Sequence, residues 1–233
     1  MIIGLDEDLI VLLDKIKSNN PLLRDISKSK RGAEVGKKYL REQQAGVPAL
    51  IGMDTSKYSI EWQDTYLPDN HKEYRRLADF FNLPLIYVRR VDSCLTASIP
   101  TDDIFYAFNK NIYGIFIKPN SNYSRLFVVG WLNSKVVDFY YKKRFSTKKE
   151  EAFPEIQTYL YEQLPLPPYK SEIIKRVESL VKQLLANPKS VELRTEIDIN
   201  IYRMYGLSYN DVLVIDHATT ITEEEYNRHD QIN

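Results

Sequence analysis

The stretch Arg125–Arg144, RLFVVGWLNSKVVDFYYKKR, constrains this chain more than any other part of it. Read as one helix, it places Leu126, Val129, Leu132, Val136, Phe139 and Tyr140 on a single face at spacings of three and four. Ser124 stands just ahead as an N-cap, its hydroxyl available to otherwise unpaired amides. The far end runs from Tyr140 and Tyr141 into Lys142, Lys143 and Arg144. A core helix is therefore expected to deliver aromatic and cationic groups to a surface. With 233 residues the chain can bury a sizeable core, as one large domain or two small ones.

Charge and composition exclude several classes. Hydrophobic residues are 43% and charged residues 27%, ordinary for a globular protein. No apolar run approaches the roughly 20 residues needed to cross a bilayer. Asp6, Glu7 and Asp8 close behind Met1 do not make the basic start of a signal peptide. A single cysteine, Cys94, rules out an intrachain disulfide and fits a cytoplasmic protein. Its apolar neighbours suggest a buried structural thiol rather than a nucleophile. Net charge is zero, yet its distribution is uneven. Lys17, Arg24, Lys28, Lys30, Arg31, Lys37, Lys38 and Arg41 crowd an early stretch, and Lys142–Lys149 forms a second basic cluster. Acids collect late, from Glu192 to Asp230, so a neutral total can hide a basic face.

In chain order, an amphipathic helix from about Asp6 to Lys17 buries Leu9, Leu12, Leu13 and Ile16, and Asn19-Asn20-Pro21 ends it. Ser27–Leu40, SKSKRGAEVGKKYL, reads as a flexible, glycine-punctuated basic loop, mobile until a partner orders it. Gly32, Gly36 and Lys37 invite comparison with a phosphate-binding loop. The spacing is one residue short and Lys38 stands where that motif needs Ser or Thr, which excludes a nucleoside triphosphate site. Such a loop can still bring its backbone close to another phosphate. Val47–Met53 is a strand, and Tyr58, Ile60 and Trp62 alternate as in a half-buried one. Lys72–Phe81 reads as a short helix. Pro84–Val91, Leu95–Ser98, Ile104–Phe108 and Ile112–Ile117 read as strands joined by turn chemistry, too closely spaced for crossover helices. An extended Leu-Pro-Leu-Pro-Pro connector at Leu164–Pro168 then leads to helices Ser171–Ala186 and Glu192–Tyr205, an antiparallel hairpin. Gly206 sits at a left-handed C-cap position, Ser208 and Asp211 cap a last short helix through Ile215, and the chain from Thr219 is polar and frayed. The expected fold is mixed α/β (α+β), a mainly antiparallel sheet followed by a helical hairpin.

Catalytic signals are mostly negative. His71, His217 and His229 are scattered, and no Cys/His/Asp cluster has metal-ligand spacing. No glycine-rich turn follows a strand as a dinucleotide or adenosylmethionine pocket requires, and no nucleophile elbow is present. Asp102-Asp103 reads as a turn between strands rather than a carboxylate pair. The residues describe a binding module or a detached part of an enzyme.

Several segments resemble one family. GWLNSKVVDFYYKK, with Leu132-Asn133-Ser134-Lys135 at its centre, is similar to the Leu-Asn-Ser-Lys helix of TaqI-like C-terminal specificity domains. These domains occur in adenine-specific DNA methyltransferases and type IIG restriction-modification enzymes. Leu164–Pro168 resembles their approach to the closing helices, and Ile197–Asp216, IDINIYRMYGLSYNDVLVID, their usual ending. KRGAEVGKKYL and IGMDTSKYSIEW are similar to the family's basic Gly-x-x-x-Gly loop and Gly-x-Asp…Tyr segment, with Ala33 and Lys38 departing from the pattern.

The resemblance implies a target-recognition module for duplex DNA over residues 1–150, a closing helical hairpin packed on it over 151–218, and a polar tail at 219–233. It implies that the chain positions DNA for a methyltransferase or endonuclease domain of the same or a partner chain. No cofactor is then expected in this chain; S-adenosylmethionine and Mg belong to those catalytic domains, and no membrane is a partner. Expected DNA contacts are Lys28, Lys30, Arg31, Lys37, Lys38 and Arg41, then Arg75 and Arg76, and one of Arg89 and Arg90, which point to opposite faces of a strand. A protein-assembly module built on the Ser171–Tyr205 hairpin is the competing reading.

Overall fold

The computed structural model describes residues 7–145 and 157–228. The chain opens with helix α1 (Glu7–Lys17) and one turn of helix α2 (Leu23–Ile26), then strand β1 (Ser27–Arg31), helix α3 (Lys37–Glu42) and strand β2 (Val47–Leu50). Short strands β3 (Thr55–Ser56), β4 (Ser59–Ile60) and β5 (Tyr66–Leu67) precede helix α4 (Lys72–Phe81). Strands β6 (Ile86–Arg89), β7 (Ala97–Ser98), β8 (Ala107–Phe108) and β9 (Ile112–Ile117) complete the β region. Helices α5 (Arg125–Asn133), α6 (Lys135–Phe145), α7 (Thr158–Tyr161), α8 (Ser171–Ala186), α9 (Val191–Met204), α10 (Tyr209–Ile215) and α11 (Glu223–Arg228) follow.

A four-stranded antiparallel sheet, β1-β9-β6-β7, divides two hydrophobic cores. Alternation along its strands sends successive side chains to opposite sides. Ile86 and Val88 of β6, with Tyr113 and Ile115 of β9, join the core built by α1, α5, α6, α8 and α9. Leu85, Tyr87 and Ile112 join the core built by α4 and the small sheet β5-β2-β8. The sheets are mainly antiparallel; β2 beside β8 is a parallel pair.

The helix over Arg125–Arg144 is not continuous. It breaks at Ser134, whose backbone is extended (ψ 153°). The Leu-Asn-Ser-Lys segment is the reason. Asn133 accepts from the Ala97 amide (2.9 Å) and donates to the Ala97 carbonyl (2.8 Å), pairing like a further strand with the edge of β7. The Ser134 hydroxyl turns back to the Trp131 carbonyl (2.7 Å), and buried Asp198 of α9 accepts the Lys135 amide (2.9 Å) at the start of α6. Around α5 every residue from Phe127 to Asn133 is buried, the pattern of a helix covered on all sides. Tyr140 and Tyr141 are buried too, so of Tyr140–Arg144 only Lys142, Lys143 and Arg144 reach the surface. Ser124 caps α5 as expected, accepting from the Phe127 amide (3.1 Å).

Helices α8 and α9 close over α5. A Cβ at Gly130 would lie 2.9 Å from Val177 and Val181, so the glycine sets how near α8 approaches. The proline-rich connector is zipped to the N-terminal segment: Leu23 donates to the Leu164 carbonyl (3.0 Å), and Leu166 to that of Pro21 (2.8 Å). Trp131 donates to Tyr205, which donates in turn to the Pro165 carbonyl (2.5 Å). Gly206 is left-handed (φ +67°), and Ser208 and Asp211 form the capping box that starts α10.

Three further expectations fail. Ser27–Leu40 is not a loop: all five residues of β1 pair with β9, and Leu40 of α3 is buried. The segment from Thr219 to Arg228 is not frayed. Thr222 and Glu225 cap α11 reciprocally, Ile221 and Tyr226 are buried, and the Tyr226 hydroxyl donates to the Leu207 carbonyl (2.7 Å). Two apolar anchors suffice there, which the polarity of the stretch conceals. Cys94 is half-buried rather than buried, with its sulfur 3.7 Å from the Thr96 hydroxyl.

Candidate nucleic-acid interface

β1 carries its charges into a crowded corner. Gly32, which follows it, passes so close under the β8–β9 turn that a Cβ would lie 2.3 Å from the Asn109 carbonyl oxygen and 2.4 Å from that of Phe108. Here only glycine fits. Ala33 then donates to the Phe108 carbonyl (2.8 Å), which fixes the exit of the strand. Gly36 has no atom within 4 Å of a would-be Cβ, so the second glycine is not sterically required.

At that end of the sheet, cations from distant segments converge. Arg31 donates to the Lys110 carbonyl (3.2 Å) and pairs with Glu34 (2.8 Å). Arg90 reaches the same carbonyl (3.5 Å), and the Lys110 ammonium lies 3.7 Å from Glu34. Beside them a cleft of about 270 Å3 is walled by Lys37 and Arg89, with Ile51, Gly52, Met53, Val91 and Asn111 completing it. Arg41 leans on Met53, 3.6 Å from its sulfur, and Arg89 is 3.5 Å from Asp92. Beneath the cleft the buried carboxyl of Asp54 accepts from the Ile51 amide (2.8 Å). Burial pushes its pKa up to about 6, against the opposing pull of that amide and of Arg41.

Of the cations expected from the sequence, Arg31, Lys37, Arg41, Arg89 and Arg90 meet at this corner; both Arg89 and Arg90 do so rather than one, because β6 ends at Arg89 and strand alternation does not extend to Arg90. The others do not join it. Lys28 and Lys30 share the strand face turned toward α4, and the Lys30 ammonium lies over the Phe80 ring at 5.2 Å. Lys38 is exposed and 3.8 Å from Glu42. Arg75 is exposed on α4, while Arg76 pairs with Glu73 (2.7 Å). In the second basic cluster Lys142 pairs with Asp138 (2.6 Å), and 146–149 lie outside the described residues. Sequence reasoning missed Lys110, Asn111, Met53 and Val91. The Asn109-Lys110-Asn111 segment announces only a turn, and nothing local marks two exposed apolar residues as neighbours.

Other chemistry is sparse. Asp102 is a turn residue, accepting from the Ile104 amide (3.2 Å) and the Tyr106 hydroxyl (2.8 Å). Among the described residues no group of His, Cys, Asp and Glu side chains could hold a metal ion, and no helix is long and apolar enough to cross a membrane.

The sequence profile of the family described as the TaqI-like C-terminal specificity domain matches residues 47–166. Among solved structures the chain is similar to the HsdS subunit from Thermoanaerobacter tengcongensis, with 11% identity and a TM-score of 0.44 over 85% of this chain and 50% of that one. It is also similar to a structure described under complex assembly and conformational transition of the type I R-M system, with 11% identity and a TM-score of 0.43 over 84% and 51%. The chain thus spans about half the length of the solved structures it matches. No curated protein matches it in sequence.

Proposed function

Because the chain belongs to the family of TaqI-like C-terminal specificity domains, and so is a DNA target-recognition domain of restriction-modification systems, we propose that duplex DNA lies across the corner where Arg31, Lys37, Arg41, Arg89, Arg90 and Lys110 converge. The supporting observation is that convergence itself, in a chain of zero net charge. Lysine and arginine neutralise phosphates and fix the register of a duplex, while a few side chains read base edges. Turns and strand ends held by a rigid sheet suit that work.

The partner completing the enzyme is a methyltransferase or endonuclease domain, on the same or another chain, of an adenine-specific methyltransferase or type IIG enzyme. S-adenosylmethionine and Mg are bound there, and this chain supplies recognition. An assembly module on α8 and α9 is the weaker reading. It needs an exposed apolar stripe, whereas Ile174, Val177, Leu180, Val181, Leu184, Ile197 and Ile201 are buried against α5 and one another.

A salt titration of duplex binding tests the reading. If about 5–8 phosphates are contacted, log affinity falls against log salt with a slope near −0.9 per phosphate. Replacing Lys37 and Arg41 by Ala is expected to weaken binding to all duplexes alike and to flatten the slope by about 1–2. Binding that is absent at low salt, or insensitive to salt, contradicts the proposal. Methylation or cleavage by the chain alone contradicts the division of labour.

A further inference from the structure

Asn111 holds an unusual position in the cleft. Its backbone is fixed from two sides: its amide donates to the Asn109 side chain (3.0 Å), and its carbonyl accepts from the Arg90 amide (2.9 Å). Yet among the described residues nothing hydrogen-bonds its carboxamide. Beside it stand two apolar side chains left in water, Met53 at 59% exposure and Val91 at 38%, within a ring of cations. Exposed apolar groups between phosphate-binding charges gain nothing from a phosphate.

We propose that Asn111, Met53 and Val91 are specificity determinants that read an A·T base pair, an inference that rests on the DNA-recognition reading above. A carboxamide matches adenine in the major groove, accepting from its 6-amino group while donating to N7, and apolar side chains fit the thymine methyl. A G·C pair offers no methyl, and its guanine presents two acceptors to a group that has one donor side. Arg89, the guanine-type reader nearest the cleft, has Asp92 beside its guanidinium. Lys37 and Arg41 hold the backbone while the fixed Asn111 meets the base edge.

The test selects preferred duplexes from a randomised library with the full chain, then repeats the selection with Asn111→Ala and Asn111→Asp. Wild type is expected to fix at least one A·T position. Asn111→Ala should relax that position alone, with a loss of roughly 10–100-fold on the preferred site, unrelated duplexes and the salt slope unaffected. Asn111→Asp, which keeps the side-chain shape, should turn the same position toward cytosine, whose amino group a carboxylate accepts. Met53→Ala with Val91→Ala should weaken discrimination for the thymine partner. An equal loss on every duplex, a relaxed G·C position or unchanged preferences overturns the assignment. If wild type binds duplexes without preference, the assignment fails and the DNA reading stands; if it binds none, both fail.

Discussion

Glu34 lies between two of the cations proposed to meet DNA, 2.8 Å from Arg31 and 3.7 Å from Lys110. All three side chains are substantially exposed, so these pairs add at most about 1 kcal/mol to the fold. Their consequence for binding is larger, because each phosphate must displace a carboxylate. Glu34→Gln is expected to leave the melting temperature nearly unchanged, tighten binding to any duplex several-fold and steepen the salt slope. Unchanged affinity in a fluorescence titration would place Arg31 and Lys110 outside the interface. Asp198 acts on stability instead. Burial pushes its carboxyl up to about 6 from an ordinary 3.8, opposed by the Lys135 amide and the charges of Lys57 and Lys135. The folded chain therefore holds this proton more tightly than the unfolded one. Its contribution is full below about pH 4, falls as pH rises through 6, and is then flat. Asp198→Asn keeps an acceptor for the Lys135 amide and removes the titration. Thermal melts should show a shallower decline from pH 4 to 6 than in wild type, where Asp54 declines in the same sense. An identical decline would refute the burial argument.

Elements whose pattern is local were legible in the sequence. Helices Lys72–Phe81 and Ser171–Ala186 and strand Ile112–Ile117 follow their hydrophobic periodicity residue for residue. The break at Ser134 was not legible, because it depends on Ala97 and Asp198, which are remote in sequence and meet Asn133 and Lys135 only in the fold. Ser27–Arg31 was hidden for a different reason. Its lysines and serines have little strand preference, but an edge strand is made by its backbone, and charges there discourage pairing with other chains. The site divides along the same line. Clustering of Arg31, Lys37 and Arg41 is visible along the chain, whereas Lys110 and Asn111 join them only once β9 turns back beside β1. Asn133→Ala leaves the Ala97 amide unpaired in the interior and its carbonyl with the Tyr58 amide (3.2 Å), and is expected to cost about 2–3 kcal/mol in denaturant unfolding. Leu180→Ala, in the helix closing over α5, should cost a similar amount through the cavity it leaves. An effect within error for either would mean that the joint, or the hairpin, adds nothing to the fold.

At the scale of the molecule, the four-stranded sheet separates two tasks. One face carries the helical core in which Asn133, Ser134, Asp198 and Tyr205 act as joints. The strand ends and turns at one corner gather cations from distant segments around the Asn111 carboxamide. Recognition can then vary at that corner while the joints stay fixed, as expected where binding residues sit on turns of a rigid scaffold. Lysine acetylation with and without a duplex at low salt tests this placement most directly, read by mass spectrometry at each lysine. DNA is expected to protect Lys37 and Lys110 and to leave Lys175 and Lys182, exposed on α8, reacting at their free rate. Protection of Lys175 and Lys182 with Lys37 and Lys110 unchanged would contradict the account.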